Sequence, residues 1–293
     1  MILMSQSIIC FVASSVDPAS MNIANNLLEV ADWEKLDYPS LNKQAFFCRE
    51  INSLLMVIDS ELVFTENFPG INFDVERFIF LSRHESAAKL PALLLHFTGN
   101  WTEDVKLGGN ARSLGVSDPV LGKVIFTNLV VQAENAGVSE RVKISLEATH
   151  HGPTSINKPL TFVEIGSDLE IWKNKKLGEV WANTLIEAIR DFLNRKTADY
   201  SVAIGFGGPH YAPNFTKVEI RSNIAMSHIA PKYVINDIDR DIIVQAIERS
   251  GQRPNLVLLD WKGLTNDQRK KLLTIFQDME ELNVLRTKDV LRR

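Results

Sequence analysis

The run Val142-Lys143-Ile144-Ser145-Leu146-Glu147-Ala148-Thr149-His150-His151-Gly152-Pro153-Thr154 sets the reading of the whole chain. Apolar and polar residues alternate from Val142 to Leu146, the period of a strand with one face buried. Gly152-Pro153 ends it, because proline has no N–H for a ladder and glycine accepts a turn. Side chains alternate between the faces of a strand. Val142, Ile144, Leu146 and Ala148 therefore share one side, and Glu147, Thr149 and His151 the other. A carboxylate, a hydroxyl and an imidazole meet where a strand gives way to a loop, which is where open α/β sheets place their sites. If the extended run stops after Thr149, His150 turns toward the same spot.

Outward from this run, residues 8–13, 53–60, 78–82, 90–97, 160–166, 200–206 and 257–261 read as strands, and 215–220 adds one more. The first is continuous enough to be buried on both faces. Helices are expected over 18–28, where Pro18 fits a first turn, and from Asp118-Pro119 to Ala136, where Gly137 supplies a stop. Ser167-Asp168-Leu169-Glu170 has the spacing of a capping box. It opens a helix to about Arg195 whose apolar stripe includes Leu169, Trp172, Val180, Trp181, Leu185, Ala188, Ile189 and Phe192. Residues 237–250 and 265–281 complete the helices. Such alternation argues for a three-layer α/β/α sandwich around a mostly parallel mixed sheet, taken as one catalytic domain over 1–293.

The 293 residues are 45% hydrophobic, ample for a buried core. A net charge of −4 makes no global electrostatic case for nucleic acid, so such a partner needs a local basic patch. Cys10 and Cys48 are the only cysteines and form no CxxC, which argues for a reducing compartment and against a Cys-ligated zinc. The apolar start lacks a basic segment, and Asp17-Pro18 follow closely, so a buried strand is expected there and not a signal peptide. No apolar run reaches the roughly 18 residues of a membrane span, and a cytoplasmic globule is expected.

The six histidines are His84, His96, His150, His151, His210 and His228. Each falls at a strand end or in a Gly/Pro-rich loop, and none on an expected helix face. Imidazole is the commonest metal ligand and the usual proton carrier near neutral pH. Plainer readings compete: a turn with a satisfied histidine pair at 147–154, a tight loop at 207–213, and hydrogen-bonded core histidines at 84, 96 and 228. Glu164, among strand apolars, is either buried with a partner or faces a site. Two adjacent imidazoles beside a carboxylate are costly to keep for packing alone, which favours function at 147–151. The chain has no G-x-S-x-G elbow, HExxH, P-loop or Cys/His nucleophile signature. A His/Glu site of this kind suits zinc with an activated water and metal-assisted hydrolysis of an ester or amide. Lys173-Asn174-Lys175-Lys176 reads as a solvated helix face. Arg269-Lys270-Lys271 reads as another, or as part of a phosphate-contacting patch.

Ser82-Arg83-His84, His96-Phe97-Thr98-Gly99-Asn100-Trp101, the run from Glu147 to Thr154, Phe162-Val163-Glu164-Ile165-Gly166-Ser167 and Gly205-Phe206-Gly207-Gly208-Pro209-His210-Tyr211-Ala212-Pro213 resemble the archaeal and plant type of D-aminoacyl-tRNA deacylase. Asp17-Pro18-Ala19-Ser20-Met21-Asn22-Ile23 adds to the likeness, which runs from about Val16 to at least His228. The resemblance implies a phosphorylase- or peptidyl-tRNA-hydrolase-like fold. It implies a zinc-dependent hydrolase that cuts the ester between a D-amino acid and the 3′-terminal ribose of tRNA, keeping D-amino acids out of translation. Its partners are then the aminoacylated tRNA end and the D-amino acid, with a monomer expected. Zinc would be held among His96, His150, His151 and Glu147, with His84 or His210 as substitutes. Glu147, Glu164, His150, His151 and His210 would carry the chemistry, with Glu147 or Glu164 as ligand or base. Arg83, His84, Thr98, Asn100, Gly207 and Gly208 would contact substrate, the two glycines through N–H groups at an oxyanion. Three alternatives stay open: hydrolysis assisted by the ribose 2′-OH without metal, a zinc amidohydrolase or peptidase of small molecules, and a non-catalytic RNA- or nucleotide-binding module.

Overall fold

The computed structural model describes residues 8–37, 44–67, 73–194 and 199–292. The apolar start over 1–7, the expected helix end at Arg195 and the last residue, Arg293, lie outside them. β1 (Ile8–Ser14) is buried along its length, as its unbroken apolar run requires. Ile9, Phe11 and Ala13 face a layer of helices, and Ile8, Cys10 and Val12 join a second apolar cluster with Leu62 and Ile156. After β1 come β2 (Glu34–Leu36), β3 (Gln44–Cys48), β4 (Ser53–Ile58), β5 (Val75–Glu85) and β6 (Ala92–His96). A short ribbon pairs β7 (Gly99–Asn100) with β8 (Ser113–Leu114). β9 (Lys143–Leu146) and β10 (Leu160–Ser167) return to an eight-stranded sheet of order β2-β3-β4-β1-β5-β10-β6-β9.

Helices α1 (Pro18–Val30) and α2 (Pro119–Asn135) start as expected, each with proline in the first turn and an aspartate cap, Asp17 or Asp118. The expected long helix is in fact two: α3 (Leu169–Trp172), capped by Asp168, and α4 (Lys175–Leu193), capped by Asn174. Asn22 of α1 causes the break, because its Nδ2 donates to the carbonyls of Trp172 and Asn174, both at 2.9 Å. α4 packs against both α1 and α2 with Leu177, Trp181, Leu185 and Ile189 buried, whereas Leu169 is exposed.

β11 (Ser201–Phe206), β12 (Ile224–Ala230), β13 (Leu256–Leu259) and β14 (Asn283–Arg286) form a second, wholly parallel sheet of order β12-β11-β13-β14. The stretch 215–220, read above as a strand, lies in the helix α5 (Pro213–Arg221). Pro213 starts it, and Phe215, Val218 and Glu219 are buried at helical spacing. α5 covers one face of this sheet; α6 (Arg240–Glu248) and α7 (Asn266–Phe276) cover the other, and α8 (Thr287–Val290) follows β14. α2 touches β12 and α5 as well as α4, so one apolar cluster continues across both sheets. The class is the expected α/β/α with mostly parallel strands; the division into two sheets is what the linear pattern did not carry. Among the described residues no helix is long and apolar enough to cross a membrane.

Candidate active site

The face of the first sheet that carries Phe78, Phe80, Leu160 and Phe162 turns polar toward one end. Ser82 and His84 follow on β5, and Glu164 on β10 pairs with Ser82. β6 runs the other way, so its last residue, His96, pairs with Phe162 and stacks on its ring, centroids 5.2 Å apart. After β9 the chain leaves the sheet as a strap. Glu147 N–H donates to Leu95 at 3.0 Å, Ala148 N–H to His210 at 2.8 Å and Thr149 N–H to Ile229 at 2.9 Å, each to a backbone carbonyl. The strap thus crosses from the edge of one sheet to β12 of the other. Leu146 and Ala148 enter the core and Glu147 faces the site, as the alternation requires. Gly207 and Gly208, at φ of 102° and 76°, shape the loop that brings His210 in from the end of β11.

Five histidines and two glutamates converge there. The His150 ring lies 4.2 Å from His96, 4.4 Å from His151 and 4.5 Å from His210, centroid to centroid. One ligating atom each from His96, His150 and His151 falls within 4.8 Å of the others. Nδ1 of His96 reaches the Phe97 carbonyl at 3.2 Å, Nδ1 of His150 that of Ala148 at 2.8 Å, and Nδ1 of His151 that of Gly152 at 2.7 Å. A carbonyl only accepts, so each Nδ1 carries the proton and each neutral ring keeps its lone pair on Nε2. Glu164 Oε1 stands 3.5 Å from His96 Nε2 and 4.0 Å from His151 Nε2, with Oε2 3.4 Å from His84 Nδ1. Glu147 Oε1 stands 3.1 Å from His210 Nε2 and 3.5 Å from His84 Nδ1.

Burial sets the charges. It holds His150 well below the ordinary imidazole value and His151 down to about 3, both with help from neighbouring imidazoles. On His84 and His96 burial also disfavours charge, but the Glu164 and Glu147 carboxylates outweigh it and raise both. Burial by itself would raise Glu164, yet His84 and His96 bring it below the usual carboxylate range. Both oxygens of Glu147 and Nε2 of His96 are buried without a hydrogen bond, the close His210 contact to Glu147 being misaligned for one. Imidazole lone pairs and unpaired carboxylate oxygens around one point are costly alone and are the donor set a zinc ion takes. The residues present fit such an ion. In front of them lies a cavity of about 310 Å³, lined by Asp17, Glu61, Arg83, His84, Glu164 and His210 among others.

A sequence model of the family described as D-aminoacyl-tRNA deacylase matches residues 71–284. The chain belongs to that family. The D-aminoacyl-tRNA deacylase of Pyrococcus horikoshii is 33% identical over 271 residues, covering 91% of this chain and 95% of that protein. Its counterpart in Methanocaldococcus jannaschii is 34% identical over 272 residues, with the same coverage of 91% and 95%. A crystal structure described as a conserved protein of unknown function matches the fold at a TM-score of 0.88 and 27% identity, over 98% of this chain and 97% of that one.

Glu147, His150, His151, Glu164, His210, His84 and His96 are thus brought together, and Arg83 lines the same cavity with its guanidinium 3.2 Å from Glu61. Thr98 stands behind, its backbone paired with His150. Asn100 braces the loop at 106–110, donating to Gly108 and Asn110 carbonyls at 2.8 and 3.2 Å. Gly207 does not offer the free N–H expected of it at an oxyanion. The Gly207 N–H donates to the Ala230 carbonyl at 2.8 Å, and both glycines pack against Asp260. Thr149 turns its hydroxyl to the buried His228, which stays out of the cluster. Two residues went unforeseen: Tyr211, whose OH is 3.0 Å from His84 Nε2, and Tyr233, whose OH is 3.2 Å from His210 Nδ1. Tyr211 adjoins His210 in sequence, a usable signal; nothing in the residues around Tyr233 marks it.

Proposed function

We propose that the chain hydrolyses the ester of D-aminoacyl-tRNA, releasing D-amino acid and tRNA, at a zinc site held by His96, His150 and His151. The supporting observation is the set of three Nδ1–H groups tied to backbone carbonyls, which leaves three Nε2 lone pairs around one buried point. Zinc there would polarise the ester carbonyl and acidify a water. Glu147, a buried carboxylate with no hydrogen bond, takes the proton of the attacking water. Glu164 is the poorer base, since His84 and His96 hold its carboxyl below the usual range; through Oε2 it orients the His84 ring. His210, at the mouth beside Glu147, passes the proton to the departing ribose oxygen. The acyl carbon gains the hydroxyl and the ribose regains its own. We ascribe the D preference to backbone crowding around His150, where Gly99 N–H reaches the carbonyls of His150 and His151 at 3.3 and 2.8 Å. On this proposal the enzyme works as a monomer in the cytoplasm, where its tRNA substrate is.

Family membership and this donor set favour a tRNA ester over a small-molecule amide or a purely binding role. The test is hydrolysis of matched D- and L-aminoacyl-tRNA with and without chelator, alongside metal analysis of the purified protein. D-selective, chelator-sensitive turnover with bound zinc is expected. Full activity in metal-free protein would overturn the zinc assignment, and equal D and L rates the chiral one.

A further inference from the structure

A second cavity, of about 510 Å³, adjoins the first across His150 and His151. The linings share only Leu107 and these two histidines. Their chemistry differs. The first sets Asp17, Glu61, Glu85 and Glu164 against one guanidinium, that of Arg83. The second is walled by Trp101, Pro231, Tyr233 and Val234, with Asn100 and Thr102 as polar groups; its charged residues are Asp104, paired with Lys106 at 3.6 Å, and Asp237, so it is less acidic than the first. Tyr233 is 58% exposed, and its hydroxyl contacts His210 Nδ1.

We infer that the second cavity receives the terminal nucleoside of the tRNA, its base against Tyr233 and Pro231, while the acidic cavity receives the α-ammonium end of the aminoacyl group. The inference deepens the deacylase reading and rests on it. An aminoacyl ester has a cationic half and a nucleoside half joined at the scissile bond. A chamber rich in carboxylates draws an ammonium group and repels phosphate. A base is held by planar aromatic and apolar faces, which suit any sequence. The larger volume falls to the larger half. The bond between them then lies over His150 and His151, the residues common to both cavities. A nucleoside resting on Tyr233 also touches the residue that holds His210, so seating the tRNA end steadies the group that protonates the leaving oxygen.

The test compares D-phenylalanyl-tRNA with D-phenylalanine methyl ester on wild type, Tyr233→Ala and Tyr233→Phe, with adenosine as inhibitor. Adenosine is expected to compete with the tRNA substrate on wild type and on Tyr233→Phe. Tyr233→Ala should raise KM for the tRNA substrate about tenfold, the scale of one lost base stack, and weaken adenosine to match. Its effect on the methyl ester should not exceed that of Tyr233→Phe, which loses only the hydroxyl toward His210. Failure of adenosine to compete, or equal loss on both substrates in Tyr233→Ala, would overturn the inference while leaving the deacylase reading in place. Wild-type protein inert toward D-aminoacyl-tRNA would overturn both.

Discussion

His228 lies beneath the strap, with no exposed surface. Its Nδ1 is 3.3 Å from Thr149 Oγ1 and its Nε2 3.4 Å from the Arg249 carbonyl. The Arg249 carbonyl only accepts, so Nε2–H donates to it, and in the neutral ring Nδ1 accepts the proton of the Thr149 hydroxyl. Burial pushes its pKa from 6.5 down to about 4. Because the folded value is the lower one, the unfolded chain binds a proton in that interval which the native state refuses. The stability at stake is whole above pH 6.5 and is lost as pH falls toward 4. At 1.36 kcal/mol per pH unit, that amounts to about 3 kcal/mol. Replacing His228 with glutamine removes the titration. The variant starts less stable but should lose about 2–3 kcal/mol less than wild type between neutral and mildly acid pH. Urea unfolding of both proteins near pH 7 and about pH 4.5 measures this. His150 and His151 add acid sensitivity to both and cancel in the comparison. Equal losses in the two proteins would refute the reasoning.

Glu147→Gln should lower kcat on D-aminoacyl-tRNA by about 10²–10⁴-fold with the fold intact by circular dichroism, the usual scale for a lost general base. His151→Ala should purify with less zinc and lower turnover together; normal zinc and normal rate would remove the metal from the mechanism. Thr265 and Gln268 form a complete capping box at the start of α7, so Thr265→Ala should cost about 1 kcal/mol in unfolding experiments and leave KM unchanged.

Elements whose own residues decide them are legible in sequence. β1 shows an unbroken apolar run, and α2 is bracketed by Asp118-Pro119 and Gly137. β12 escapes notice because Ser227 and His228 interrupt its run, although the whole strand is buried. The break between α3 and α4 carries one local mark, the Asn174 cap, and is held by Asn22, 150 residues away from Trp172. In 215–220 the strand and helix periods nearly coincide over so few residues, and Pro213 decides the matter. The site divides in the same way. Glu147, His150, His151 and Glu164 could be found because strand ends and face alternation place them. Tyr233 could not, because its contact arises where a loop after β12 meets a loop after β11. Gly207 misled because a tight Gly-Gly-Pro loop suggests free N–H groups, whereas β12 consumes the one it offers.

The strap from Glu147 to His151 is tied to His210 and Ile229, which are synthesised well after it. A polypeptide still growing on the ribosome and halted before those residues therefore lacks an organised pocket. It can sit among charged tRNAs without cleaving any of them.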